Sequence, residues 1–194
     1  MTVQPPARLF SYDDYAAIGD GRRYQVLDGE LVLTPSPFRR HQRLLGRLFR
    51  WASDHVDETG AGEVFIAPFD VVLAAASPAT VLQPDLLFVA KGRPGVSTKA
   101  NVQGPPDLVV EILSRSTARL DRVRKLALYA RFGVPEVWFL PYDDARIDVL
   151  RLAGETYGEP QAFRAGDAFA SLALPGLAID VGALFAGVDA DEVG

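Results

Sequence analysis

Three acids, a lysine and a histidine are the residues of this chain whose types and spacing suit chemistry. "VLQPDLLFVA", residues 81–90, and "GPPDLVVEIL", residues 104–113, each set Pro-Asp at the mouth of an apolar, β-branched run. The acids are Asp85, Asp107 and Glu111. Glu111 lies mid-run, where an ionised carboxylate without a partner costs on the order of several kcal/mol. A metal ion is one way to offset that cost. Hard divalent cations such as Mg2+ take oxygen ligands, usually one or two carboxylates with waters and a substrate phosphate. Side chains alternate along a strand, so Asp107, Val109, Glu111 and Leu113 share a face. If the two runs pair, Asp85 and Glu111 converge on one point. Asp107, at the strand edge, reads instead as a strand start that faces solvent.

His41 and Lys125 add to this group. On a helix, Leu44, Leu45, Leu48, Ala52 and Val56 form one apolar stripe, and His41 falls on it one turn earlier. His41 should therefore point inward, although a lone inward histidine is more often a satisfied core residue than a catalytic one. Arg39, Arg43, Arg47 and Arg50 fall on the opposite face, a solvated stripe that could also track a phosphate backbone. Lys125 follows Asp121 by four residues, the orientation of an ordinary surface ion pair. Leu128, Tyr129 and Phe132 flank it on the helix wheel and would cover part of its stem.

The elements that must position these residues can be read from pattern. Ser11 with Asp14 three residues later marks the N-terminus of a short helix, which Gly19 and Gly21 end. Asp28-Gly29 between two alternating runs marks a hairpin. Residues 38–60 read as a long helix closed by Gly60. "EVFIAPFDVVLAAA" reads as strand material broken at Pro68. The two Pro-Asp strands follow, separated by a Gly-rich loop from Lys91 to Gly104. "STARLDRVRKLALYARFGV" reads as a second amphipathic helix, with Ser114, Ser116 and Thr117 as caps and Gly133 past its end. "PEVWFLPY" and "ARIDVLRL" form two more strands joined across "DDA", and the remainder is turn-rich. This mixture gives an α/β (α+β) fold: one mixed β-sheet with a helix on each side, as a single domain over residues 1–194.

Composition narrows the function. Hydrophobic residues make up 48% of the 194, enough for a sizeable core. The chain has no cysteine, which excludes disulfides and thiolate metal sites and suits a reducing cytoplasm. No stretch is long and apolar enough for a membrane helix, and the N-terminus has no signal pattern. A net charge of -5 argues against tight nucleic-acid binding by bulk electrostatics, while leaving room for a local basic patch.

Several separated blocks carry a resemblance. "YQVLDGELVLTPSPFRRHQRLLGRL", "QPDLLFVA", "PPDLVVEILSRST" and "LDRVRKLALYARFGVPEVWFL" resemble, in order and spacing, the Uma-two family, restriction-endonuclease-like proteins of the PD-(D/E)XK nuclease superfamily. The similarity runs from about Tyr12 to Leu152. It implies a restriction-endonuclease-like fold and Mg2+- or Mn2+-dependent hydrolysis of phosphodiester bonds in DNA. Carried over by residue, Asp85 and Glu111 would be the metal-binding acids. Lys125 would be the lysine that orients water or offsets charge on the phosphate. Glu30 would bind a second metal or position water, and His41 would hydrogen-bond a ligand carboxylate. The resemblance also implies a homodimer, since two-fold symmetry suits cleavage of both strands of a duplex.

Two departures stand out. The usual motif places lysine two residues after the acid, where this chain has Leu113, so Lys125 must reach back from the following helix. Gln25 stands where relatives often carry an acid. Two other readings therefore remain beside the metal-dependent endonuclease. One is a catalytically inactive nucleic-acid or protein-binding module on the same fold. The other is a structural or regulatory dimer formed through the Val/Leu-rich tail.

Overall fold

The computed structural model describes residues 8–114, 118–141 and 144–188. Helix α1 (Tyr12–Ala16) begins at Ser11, whose hydroxyl accepts from Asp14 N–H while the Asp14 carboxylate accepts from Ser11 N–H. This reciprocal cap satisfies donors that the helix itself leaves free. Strands β1 (Tyr24–Leu27) and β2 (Glu30–Leu33) form the expected hairpin. Asp28 and Gly29 take φ of 51° and 79° at its turn, the left-handed pair that a tight two-residue hairpin needs. The long helix α2 (Arg39–Thr59) ends at Gly60, also left-handed.

Strands β3 (Gly62–Ile66) and β4 (Asp70–Ala74) are separated at Pro68, as the sequence indicates. The first Pro-Asp run is two strands, β5 (Thr80–Leu82) and β6 (Leu86–Ala90), parted by Pro84 and Asp85. Strand β7 (Asn101–Gln103) lies inside the segment read as loop. The second Pro-Asp run is β8 (Leu108–Leu113). Residues Leu120–Lys125 form a π-helical turn that runs into α3 (Leu126–Phe132), where the sequence indicates an uninterrupted α-helix. The capping reading for Ser116 and Thr117 lies outside the described residues. Strands β9 (Glu136–Pro141), β10 (Ile147–Ala153), β11 (Thr156–Tyr157) and β12 (Gln161–Phe163) follow, then α4 (Val181–Phe185).

The fold class is mixed α/β as expected, but the strands divide between two sheets. One has the order β2-β1-β5-β4-β7; the other runs β11-β10-β9-β8-β6-β3, with β12 beside β10. The short β5 joins the hairpin through Val26 and Val81, and its continuation β6 pairs with β3 and β8 in the other sheet. The break at Pro84-Asp85 is thus where the chain changes sheets.

The larger sheet has a helix on each face. Leu108, Val110 and Ile112 of β8 pack with Leu44, Leu45 and Leu48 of α2. Val109 and Leu113, the alternate positions, pack with Leu128 and Tyr129 of α3. A strand covered on both faces reads as a continuous apolar run, which explains "LVVEIL". Glu111 falls on the α3 face.

Candidate active site

Antiparallel register brings the two Pro-Asp motifs together. Leu86 pairs with Val110 and Leu87 with Val109. One further step in that register sets Asp85 opposite Glu111. The Asp85 Oδ2 accepts the Ile112 backbone N–H at 2.7 Å, and Oδ1 lies 3.0 Å from His41 Nε2. His41 is the inward residue that its stripe indicated, and it reaches Asp85 from the first turn of α2. Its buried Nδ1 has no hydrogen-bond partner among the described residues.

Glu111 is 2% exposed. Lys125 Nζ donates to Oε1 and Oε2 at 3.0 Å each, and the Tyr129 hydroxyl donates to Oε1 at 2.6 Å. Lys125 therefore does reach back to the acid, from the π-helical turn. Such turns often mark functional sites because the widened turn re-aims side chains. Leu113, at the usual lysine position, is core. Asp121 is not part of a surface pair: it and Lys125 are both buried, with Oδ1 2.9 Å from Nζ. The i,i+4 spacing was right, but the sheet and the hairpin cover that side of the helix.

Three carboxylates, Asp85, Glu111 and Asp121, thus crowd one lysine. Burial pushes the Glu111 carboxyl up to about 8; Lys125 opposes this, while Asp121 and Asp85 add to it. Burial works against the Lys125 charge, yet Glu111, Asp121 and Asp85 together hold its pKa above the ordinary lysine value. Burial, then the Glu111 charge, raise Tyr129 well above its ordinary value, so it stays a neutral donor.

Asp85, Glu111, His41, Asp121 and Lys125 line one cavity of about 210 Å³. Arg23, Gln25, Gln83 and residues 33–38 line the same cavity. Gln25, at the position where relatives often carry an acid, is fastened: Oε1 accepts the Gln83 N–H at 3.0 Å and Nε2 donates to Thr34 at 3.2 Å.

Glu30 is kept out of this group. It shares a hairpin face with Gln25, since Gln25 pairs with Val32 and Leu27 with Glu30. It sits at the turn end, however, about 7 Å further along the strand than Val32. There it is exposed and bound to Arg124 at 2.6 Å. Asp107 is also elsewhere: its Oδ2 accepts from Ala90 N–H at 2.7 Å and Arg93 at 2.8 Å, tying down a loop instead of facing solvent. The arginine stripe of α2 is partly committed as well. Arg47 donates to Leu184 and Ala186 carbonyls and Arg43 to Gly187, at the end of α4.

The donor set suits a hard divalent cation in one respect: Asp85 and Glu111 offer oxygen ligands where negative charge is in excess. Among the described residues, no three His, Asp or Glu groups form a ready cage.

The sequence reading did not find Arg23, Gln83, Asp121 or Tyr129 as site residues. Gln83 was within its reach, two residues before Asp85 in "QPD".

A crystal structure of a "putative nuclease belonging to DUF820" from Anabaena variabilis matches with a TM-score of 0.75 at 15% identity, covering 92% of this chain and 99% of that one. At that identity the likeness shows a shared fold. Residues 11–182 match the Uma2 family model, described as "Putative restriction endonuclease", and the chain belongs to that family. No curated protein matches the chain.

Proposed function

We propose that this protein is a cytoplasmic, Mg2+- or Mn2+-dependent endonuclease that hydrolyses phosphodiester bonds in DNA. The observation that carries this reading is the meeting of Asp85, Glu111 and Lys125 around one pocket. Asp85 and Glu111 would hold the cation. The chemistry it supplies when bound is Lewis-acid polarisation of a phosphoryl oxygen and a more acidic attacking water. His41 and the Ile112 N–H orient Asp85 from opposite sides, the kind of support that tunes a metal-binding carboxylate. Lys125 favours the ionised form of Glu111 and so opposes the effect of its burial. Its ammonium is also placed to offset negative charge that develops on a phosphate in the pocket. Glu30 has no part in this reading, because Arg124 holds its carboxylate at the hairpin turn. A homodimer would suit cleavage of both strands of a duplex.

Nicking of supercoiled plasmid tests the reading. Wild type should nick with Mg2+ or Mn2+, and EDTA or Asp85→Asn should abolish it. No nicking with either metal would overturn hydrolysis. A second reading, a nucleic-acid-binding module without hydrolysis, draws on Leu113 at the usual lysine position and on the occupation of both Glu111 oxygens by Lys125. Plasmid binding without cleavage would identify it.

A further inference from the structure

Among the described residues, the charge inventory of the pocket leaves one cation uncommitted. Its lining cations are Arg23 and Lys125, with His41 a third when protonated. Lys125 is held by Glu111 and Asp121, and His41 faces Asp85. Arg23 pairs with no carboxylate among the described residues. Its Nη2 donates to the neutral Gln83 Oε1 at 3.2 Å, and its buried Nε has no partner among the described residues. A buried guanidinium N–H without an acceptor is costly and uncommon, and calls for an explanation.

The Gln83 amide that anchors Arg23 is itself held in one orientation. Its Nε2 donates to Asp70 Oδ1 at 2.8 Å and to the Tyr15 hydroxyl at 3.2 Å. Tyr15 donates to the same Asp70 oxygen at 2.9 Å. The Gln83 backbone N–H is fixed on Gln25. With its N–H groups so engaged, the amide presents its oxygen to Arg23. Residues from α1, β1, β4 and the β5–β6 break thus hold one arginine at the pocket. Arginine's planar fork suits phosphate oxygens, and holding it in place beforehand reduces the ordering cost of binding.

A phosphodiester carries a negative charge and would enter a pocket that already contains three carboxylates. We propose that Arg23 is the residue that binds a non-bridging oxygen of the phosphodiester in this pocket, through its Nε–H and guanidinium fork. The inference rests on reading the Asp85–Glu111 pocket as a phosphodiester site.

The test uses the full chain in EDTA, with two probes: thymidylyl-thymidine, which has one phosphodiester, and its neutral methylphosphonate analogue. The Arg23 Nε–H resonance of 15N-labelled protein should shift with the phosphodiester and not with the analogue. The phosphodiester should bind at least about tenfold more tightly than the analogue, the scale of one charge-assisted contact. Arg23→Gln should remove that preference and Arg23→Lys should keep part of it, with thermal unfolding confirming that both variants fold. An unmoved Arg23 resonance at the highest probe concentration, or an unchanged preference in Arg23→Gln, would overturn the proposal. Plasmid nicking is read separately. An Arg23-dependent preference without nicking defeats hydrolysis alone, whereas nicking with an unmoved Arg23 resonance defeats the Arg23 assignment alone.

Discussion

Glu111 on β8 and Glu136 on β9 are two buried glutamates on adjacent parallel strands, 2% and 1% exposed. Both follow a proline-led start into an apolar run. Their surroundings differ. Glu136 accepts from Trp138 Nε1 at 2.8 Å, Ser171 Oγ at 2.6 Å, the Leu172 N–H at 2.9 Å and Arg151 Nε at 3.3 Å. These donors come from its own strand, from β10 and from the segment beyond β12, so Glu136 fastens that segment to the sheet. Glu111 shares its lysine with Asp121, has Asp85 beside it and opens on a cavity. Burial alone therefore does not mark a functional acid. Like charges gathered at a cavity are the stronger candidate, because they leave a need that a cation or a substrate can meet.

The largest separation between the two should be in catalysis. Glu111→Gln should lower plasmid nicking by on the order of 10²–10³-fold, as loss of a principal electrostatic group does. Glu136→Gln should leave the rate per folded molecule within about twofold of wild type. Equal losses in single-turnover assays would dissolve the distinction.

Stability should divide them the other way. Glu136→Ala strands several buried donors and should cost about 3 kcal/mol in urea unfolding. Losing a carboxylate from the crowded pocket should cost less.

His41→Ala should weaken metal binding by roughly 10–100-fold, the usual effect of removing a residue that orients a ligand. Calorimetric titration with Mn2+ checks it. An unchanged affinity would make His41 a core residue only.

The two glutamates should also part in the pH dependence of stability. The folded Glu111 carboxyl lies at about 8, against an ordinary 4.5. Folding therefore takes up a proton between those values, and the stability it contributes is present below 4.5 and lost as pH rises through 8. Metal affinity should move oppositely, rising with pH until about 8 as the proton ceases to compete. Urea unfolding and Mn2+ titration at a series of pH values check both slopes. Glu111→Gln should flatten them, while Glu136→Gln should retain them.

Local order was legible in the sequence because near neighbours produce it. The Ser11–Asp14 cap, the Asp28-Gly29 turn, the stop of α2 at Gly60 and the apolar stripe that turns His41 inward all depend on a few consecutive residues. The convergence of Asp85 and Glu111 was legible too, since strand alternation and an antiparallel neighbour suffice for it. The division of strands between two sheets, the short β7, the π-helical turn and the burial of Asp121 were not legible. Each depends on what packs against a segment from far along the chain. The same holds for Glu30, which the resemblance put at the site but which the hairpin register places at the turn, beside Arg124. It holds also for Arg23, whose place at the pocket depends on Tyr15, Asp70 and Gln83. By itself the sequence determined that Asp85, Glu111, His41 and Lys125 could do chemistry and that His41 would turn inward. Only the tertiary structure decided which acid is satisfied, as Glu136 is, and which is left in excess charge, because that balance is struck between elements distant in the chain and adjacent in space.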